Sequence, residues 1–103
     1  MKRKIRLWVD DTRPAPGGFI SCRSYKEAII AFEMFTVRDN MEIELISLDH
    51  DLGGKKTGYD IAKYIVEHKI PIDFYQVHSI NSVGRFNIEQ LLDHYGYKNL
   101  GQG

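Results

Sequence analysis

Ile43-Glu-Leu-Ile-Ser-Leu48-Asp49-His50-Asp51 and, one helical stretch later, Ile72-Asp-Phe-Tyr-Gln-Val77-His78-Ser79 decide how this chain folds. Each segment opens with an apolar run lacking strict alternation and ends abruptly in polar residues. Runs of that kind suit strands buried on both faces, as in a sheet covered by helices on either side. The pattern occurs once more near the start, where Ile5-Arg-Leu-Trp-Val9 runs into Asp10-Asp11-Thr12-Arg13. A shorter run, Phe19–Cys22, reads as a fourth strand at an edge.

Three helices fit between and after these strands. Ser24 and Glu27 form a capping-box pair at the start of the first, whose Ala28, Ala31, Phe32 and Phe35 make one buried stripe. The second starts at Thr57, with Asp60 in the reciprocal capping position. It buries Ile61, Ala62, Ile65 and Val66, and Pro71 helps to stop it. The third starts at Asn81 or Ser82, buries Ile88, Leu91, Leu92 and Tyr95, and meets Gly96 as its cap. This order predicts an α/β layer fold with a mainly parallel four-stranded sheet and about three helices. The link from Asp10 to Gly18 holds Pro14, Pro16, Gly17 and Gly18 and is too short for a crossover helix, which takes about a dozen residues. The direction of Phe19–Cys22 is therefore left open.

The 103 residues suit one domain, 1–103, with one core. With 14 basic and 14 acidic side chains the net charge is zero, which disfavours long duplex nucleic acid as a partner. A lone Cys22 excludes a disulfide framework within the chain. No apolar segment of 7–15 residues follows the basic run Lys2, Arg3, Lys4 and Arg6, and none elsewhere is long enough to span a membrane. A cytoplasmic protein without a membrane partner is the expectation.

All three strong strands end in ionisable clusters, and in an open parallel sheet the carboxyl ends share one ligand-binding rim. Asp10, Asp11 and Asp49 on neighbouring strands bring carboxylates together that repel unless a cation joins them. Hard oxygen ligands suit Mg²⁺, with Mn²⁺ or Ca²⁺ as alternatives. An Asp-Asp pair alone more often salt-bridges a residue such as Arg13; Asp49 tips the reading toward metal. His50 and His78 end strands expected to be neighbours, so a base and an acid can flank one phosphodiester, with Asp51 or Asp11 orienting a ring. Asn81, Gly84 and Arg85 open the third helix, where free backbone N–H groups favour an anion, and Arg13 and Ser79 join them as phosphate-binding candidates.

Leu7-Trp-Val-Asp-Asp-Thr-Arg-Pro14, Ser47-Leu-Asp-His-Asp-Leu-Gly53 and His78-Ser-Ile-Asn-Ser-Val-Gly-Arg-Phe-Asn-Ile88, in that order, resemble the cyclic-phosphate-processing receiver domain family. The resemblance implies a reduced receiver-like, flavodoxin-like three-layer fold. It also implies an Asp10–Asp11 pair holding Mg²⁺, Asp49 at the receiver phosphoacceptor position and Ser79 near the receiver hydroxyl position. Receivers carry a lysine at the end of a fifth strand; no convincing fifth strand is visible, and Lys98 is a poor substitute. The helix after strand one is missing, and Ser82 stands where the family expects proline.

The expected function is metal-assisted opening of a cyclic phosphate on a small nucleotide or RNA end, with Asp10, Asp11 and Asp49 as metal ligands. His50, His78 and Asp49 are its catalytic candidates, with Asp51 supporting them. The alternatives are a receiver module phosphorylated on Asp49 and a cyclic-nucleotide binder without turnover.

Overall fold

The computed structural model describes residues 2–101. Four strands, β1 (Lys4–Val9), β2 (Ile20–Cys22), β3 (Glu42–Leu48) and β4 (Ile72–Val77), form one sheet in the order β2-β1-β3-β4. Every pairing is parallel. The edge strand whose direction was open therefore runs with β1, although no helix joins the two. The link turns back between Pro16 and Phe19, whose N–H donates to the Pro16 carbonyl at 3.2 Å, and Gly18 takes a positive φ of 86° there. Phe19 then meets the edge of the Trp8 ring, with centroids 5.9 Å apart. Side-chain packing on Trp8 thus does the work of the missing crossover.

Helix α1 (Tyr25–Ala31) is capped by the Ser24 hydroxyl, which accepts from the Glu27 N–H at 3.1 Å. Glu27 reaches one residue further back than a capping box requires, to the N–H of Arg23 at 2.9 Å. After Ala31 the coil widens into a π-helical segment, Phe32–Arg38, so Phe35 packs at the border of the core rather than in its centre. Helix α2 (Gly58–Glu67) begins where expected, with the Asp60 carboxylate accepting from the Thr57 N–H at 2.8 Å. It ends before Pro71 is reached: Lys69 turns left-handed at φ 51°, and Ile70 donates back to the Ile65 carbonyl. Helix α3 (Ser82–His94) buries Ile88 and Leu92, but Tyr95, expected in the core, is 58% exposed beyond the helix end.

All three helices send their buried residues into one cluster with Leu7, Val9, Ile43, Ile46, Leu48, Tyr75 and Val77 of the sheet. These strand residues alternate with a second set, Lys4, Arg6, Trp8, Ser47, Phe74 and Gln76, on the opposite face. That face carries the ion pairs Lys4–Asp73 at 2.7 Å and Arg6–Glu44 at 2.5 Å, and Phe74 on it is 38% exposed. The α/β class, the parallel four-stranded sheet and the three helices agree with the sequence. The expected third layer is not filled by a helix among the described residues, because the β1–β2 link supplies none. Burial on both faces is confined to the central β3, where Leu45 and Ser47 are also buried.

A trace of a fifth strand follows α3. Asn99 bridges Tyr75 in parallel, the Tyr75 N–H donating to the Lys98 carbonyl and the Leu100 N–H to the Tyr75 carbonyl.

Candidate functional site

Parallel register sets the rim. Val9 pairs with Leu48 and Leu48 with Val77, so the next residues, Asp10, Asp49 and His78, stand level at the carboxyl ends of β1, β3 and β4. One ligand atom from each lies within 4.8 Å of the others. Three residues far apart in the chain thus converge because their strands stop together.

Asp10 is only 1% exposed. Its Oδ1 accepts from the N–H groups of Thr12 and Arg13, both at 2.9 Å, and from the Thr12 hydroxyl at 3.2 Å. Burial alone would raise its pKa; the Arg13 and Thr12 N–H groups, with His78, overcome that and hold the carboxyl below its ordinary range. Arg13 Nε lies 3.9 Å from Oδ2, while Nη1 donates to the His78 carbonyl at 3.1 Å.

His78 is bonded at both nitrogens. Nε2 lies 2.9 Å from Asp10 Oδ2 and Nδ1 lies 2.7 Å from Ser47 Oγ. The ionised Asp10 can only accept, so Nε2 carries the ring proton and Nδ1 takes the Ser47 hydroxyl proton, while Gln76 Nε2 donates to the same Ser47 oxygen at 3.0 Å. Burial lowers the His78 pKa against the pull of Asp10, keeping the ring neutral at pH 7. Trp8 stacks on it with centroids 3.8 Å apart.

Asp49 contrasts with Asp10. It is 9% exposed, yet among the described residues no protein donor bonds its carboxylate. Its oxygens are not sealed off, since no fully buried side-chain oxygen among the described residues lacks a partner, so the carboxylate faces solvent at the rim. The next residue, His50, has Nδ1 3.1 Å from Asp51 Oδ1 and 3.4 Å from Asn81 Nδ2; the shorter contact, to a carboxylate, favours the ring proton on Nδ1, and no described side chain bonds Nε2. The ring lies against Gly84 in the first turn of α3, where a Cβ would collide with it, and a Cβ at Gly58 would strike the Asp49 carbonyl. Two glycines therefore let α2 and α3 close on the β3 terminus.

The remaining candidates divide. Asn81 caps α3, its Oδ1 accepting from the Gly84 N–H at 2.9 Å, and its Nδ2 faces the Asp51 carboxylate at 3.4 Å. Ser79 is buried and its Oγ accepts from the Asn81 N–H at 3.1 Å. Asp11 stands apart from the Asp10–Asp49–His78 group: its carboxylate lies against Gly53 and its carbonyl accepts from Arg23 Nη2 at 2.8 Å. Arg85 turns along its own helix to Glu89, 3.5 Å away. Trp8, Ser47 and Gln76 were missed from sequence, although a serine and a glutamine inside apolar strands were a signal of buried hydrogen bonding.

The sequence profile of the Cyclic-phosphate processing Receiver domain matches residues 5–94. Among curated proteins, none matches the chain. Among solved structures, the chain is similar to the signal receiver domain of a Luxo repressor protein from Vibrio parahaemolyticus, with 19% identity and a TM-score of 0.57. The similarity covers 96% of this chain and 76% of that one, and it shows a shared fold. A rim of carboxylates and imidazoles on a receiver-like sheet, matched over nearly its whole length, makes this chain a member of the cyclic-phosphate processing receiver domain family.

Proposed function

We propose that the rim opens a cyclic phosphate carried by a small nucleotide or an RNA end, with a divalent cation at Asp10 and Asp49. The observation that carries this reading is the Asp49 carboxylate, within 4.8 Å of Asp10, open to solvent and free of protein donors among the described residues, beside His50. Carboxylate oxygens of this kind suit Mg²⁺, with Mn²⁺ or Ca²⁺ as alternatives, and Asp11 is near enough in sequence to serve through water. When bound, such a cation neutralises charge on the phosphoryl oxygens.

The protein's own groups then divide the work. His50 Nε2 takes a proton from the attacking water while Asp51 holds the ring by Nδ1. The new P–O bond forms as the bond to one ribose oxygen breaks, and that oxygen takes a proton from solvent. Arg13 and the Ser79 hydroxyl hydrogen face the developing negative charge. Having both nitrogens bonded, His78 acts as a positioning residue for Asp10 rather than as the second acid–base group expected from sequence.

A second reading has Asp49 as a phosphoacceptor, favoured by the same donor-free carboxylate. The Asn99–Tyr75 bridge weighs against it. It puts Lys98 level with Phe74, about four strand residues or 13 Å short of the rim at His78, where a receiver lysine would have to stand.

The test is ³¹P NMR of 2′,3′-cyclic nucleotides and cyclic-ended oligonucleotides with protein and Mg²⁺ or Mn²⁺. Conversion to the monoester by wild type, and not by His50→Gln, supports the reading. No turnover of any substrate overturns catalysis; tight binding without turnover leaves a binder, and beryllofluoride uptake lost in Asp49→Asn favours the receiver.

A further inference from the structure

Beside the rim, a groove of about 400 Å³ runs between the start of α2 and one face of α3, lined by Tyr59, Asn87, Gln90, Leu91, His94 and Tyr95. Its floor, Tyr59 and Leu91, packs against the core, but the rest of its lining does not: Asn87, Gln90, His94 and Tyr95 are exposed, and no hydrogen bond ties Asn87 or Gln90 to another described side chain. Its upper end adjoins the site through His50. Gly58 packs on the Asp49 carbonyl and the His50 backbone, and Tyr59 is the next residue; Gly84 packs on the His50 ring, and Asn87 follows three residues later.

We propose that this groove holds the nucleobase of the substrate whose phosphate sits at His50, an inference that rests on the phosphate-opening reading above. The helix sets the scale. At 1.5 Å per residue, Asn87 lies about 4.5 Å and Gln90 about 9 Å along α3 from Gly84. A ribose attached to a phosphate at His50 carries its base into that interval. The lining has the chemistry a base needs: the Tyr59 ring gives a stacking surface, Leu91 an apolar floor, and two carboxamides each supply a donor and an acceptor for the base edge. Lys63 Nζ lies 5.6 Å from the Tyr59 ring centre, one turn on along the same helix, and is paired with Asp60 Oδ1 at 3.4 Å, so that wall carries no net charge. Neither carboxamide carries charge, which matches a neutral base better than a second phosphate.

The assignment names the substrate class: a nucleoside cyclic phosphate is preferred over a sugar cyclic phosphate without a base. The experiment is an amide-resolved NMR titration with three probes: cytidine and adenosine 2′,3′-cyclic phosphates, the base-free ribose 2,3-cyclic phosphate, and inorganic phosphate. Each is used with Mg²⁺. The nucleotides should shift the side-chain amides of Asn87 and Gln90 as well as the His50 and Asn81 signals, whereas the base-free probes shift only the latter. The double variant Asn87→Ala, Gln90→Ala, exposed at both positions, should bind the nucleotides about tenfold more weakly and the base-free ester unchanged. If the nucleotides move His50 and Asn81 but leave Asn87 and Gln90 still, or if the double variant binds them as well as wild type, the groove is not a base site while the phosphate reading stands. If no probe moves His50 or Asn81, both fall together.

Discussion

The His78 imidazole lies flat on the Trp8 indole, the planes 6° from parallel, while its two nitrogens are taken by Asp10 and Ser47. A ring held on its face and at both ends has one orientation and one tautomer. NMR of the imidazole nitrogens should report His78 as the Nε2–H tautomer in neutral solution. Ser47→Ala removes the donor to Nδ1 and the acceptor for Gln76 in one step, and should cost about 1–3 kcal/mol in urea denaturation. A variant as stable as wild type would show that solvent already satisfies these groups.

The two rim aspartates should respond oppositely to amidation. Asp10→Asn must turn its NH₂ group toward fixed donors, either the Thr12 and Arg13 N–H groups or the His78 Nε2–H, and should lose about 2 kcal/mol. Asp49→Asn removes a charge that no protein donor bonds but that solvent still reaches, and should raise the stability of the cation-free protein by less than about 1 kcal/mol. Wild type should gain about 2.7 kcal/mol at a Mg²⁺ concentration a hundred times its Kd, and Asp49→Asn should gain nothing. Thermal melts with and without Mg²⁺ measure all three differences.

Stability of the cation-free protein should fall with acid in two stages. Burial depresses the His78 pKa, so the unfolded chain binds this proton first. Stability is then full above about pH 6.5, the unfolded value, and declines below it until the folded pKa is passed. The Asp10 pKa is also depressed; its contribution is present above about pH 3.9 and is lost as pH falls through the lower folded value. Urea midpoints measured across pH should show both stages, and His78→Gln should abolish the first.

Gly58 and Gly84 look alike in sequence but should differ in tolerance. A methyl at Gly58 meets the Asp49 backbone, which has nowhere to move, whereas a methyl at Gly84 meets the His50 side chain. Gly58→Ala should cost about 3 kcal/mol. Gly84→Ala should cost less, since alanine favours the helix by about 1 kcal/mol and the ring swings aside, but it should displace His50 and abolish turnover. Denaturation curves set beside ³¹P assays separate the two effects.

Much of this molecule is legible in its sequence. Apolar runs and caps located β1, β3 and β4 and the starts of all three helices, because local periodicity and capping chemistry act within a few residues. A shared rim follows from parallel strands ending together, but its membership does not: Asp11 is expected beside Asp10 and Asp49, where the structure sets His78. What escaped was non-local. The bare face of the sheet was hidden because Leu45 and Ser47 in β3 read as doubly buried, while their flanking strands present Arg6 and Phe74 beside them. The end of α2 depends on a left-handed Lys69, which no residue preference announces. The engagement of His78 by Ser47, Gln76 and Trp8 spans three strands and is invisible in any one of them.

The single bridge at Asn99 also has a consequence for how these molecules behave in a crowd. The outer edge of β4 would otherwise offer a row of open backbone groups to any passing strand. Residues 98–100 occupy the middle of that edge, and the Asn99 side chain pins them by donating to Glu89 at 2.8 Å while accepting from Gly101. With Tyr75 claimed on both its N–H and its carbonyl, another chain can pair only with the ends of β4, too short a stretch to seed a growing sheet. A one-residue clip thereby guards against edge-to-edge aggregation.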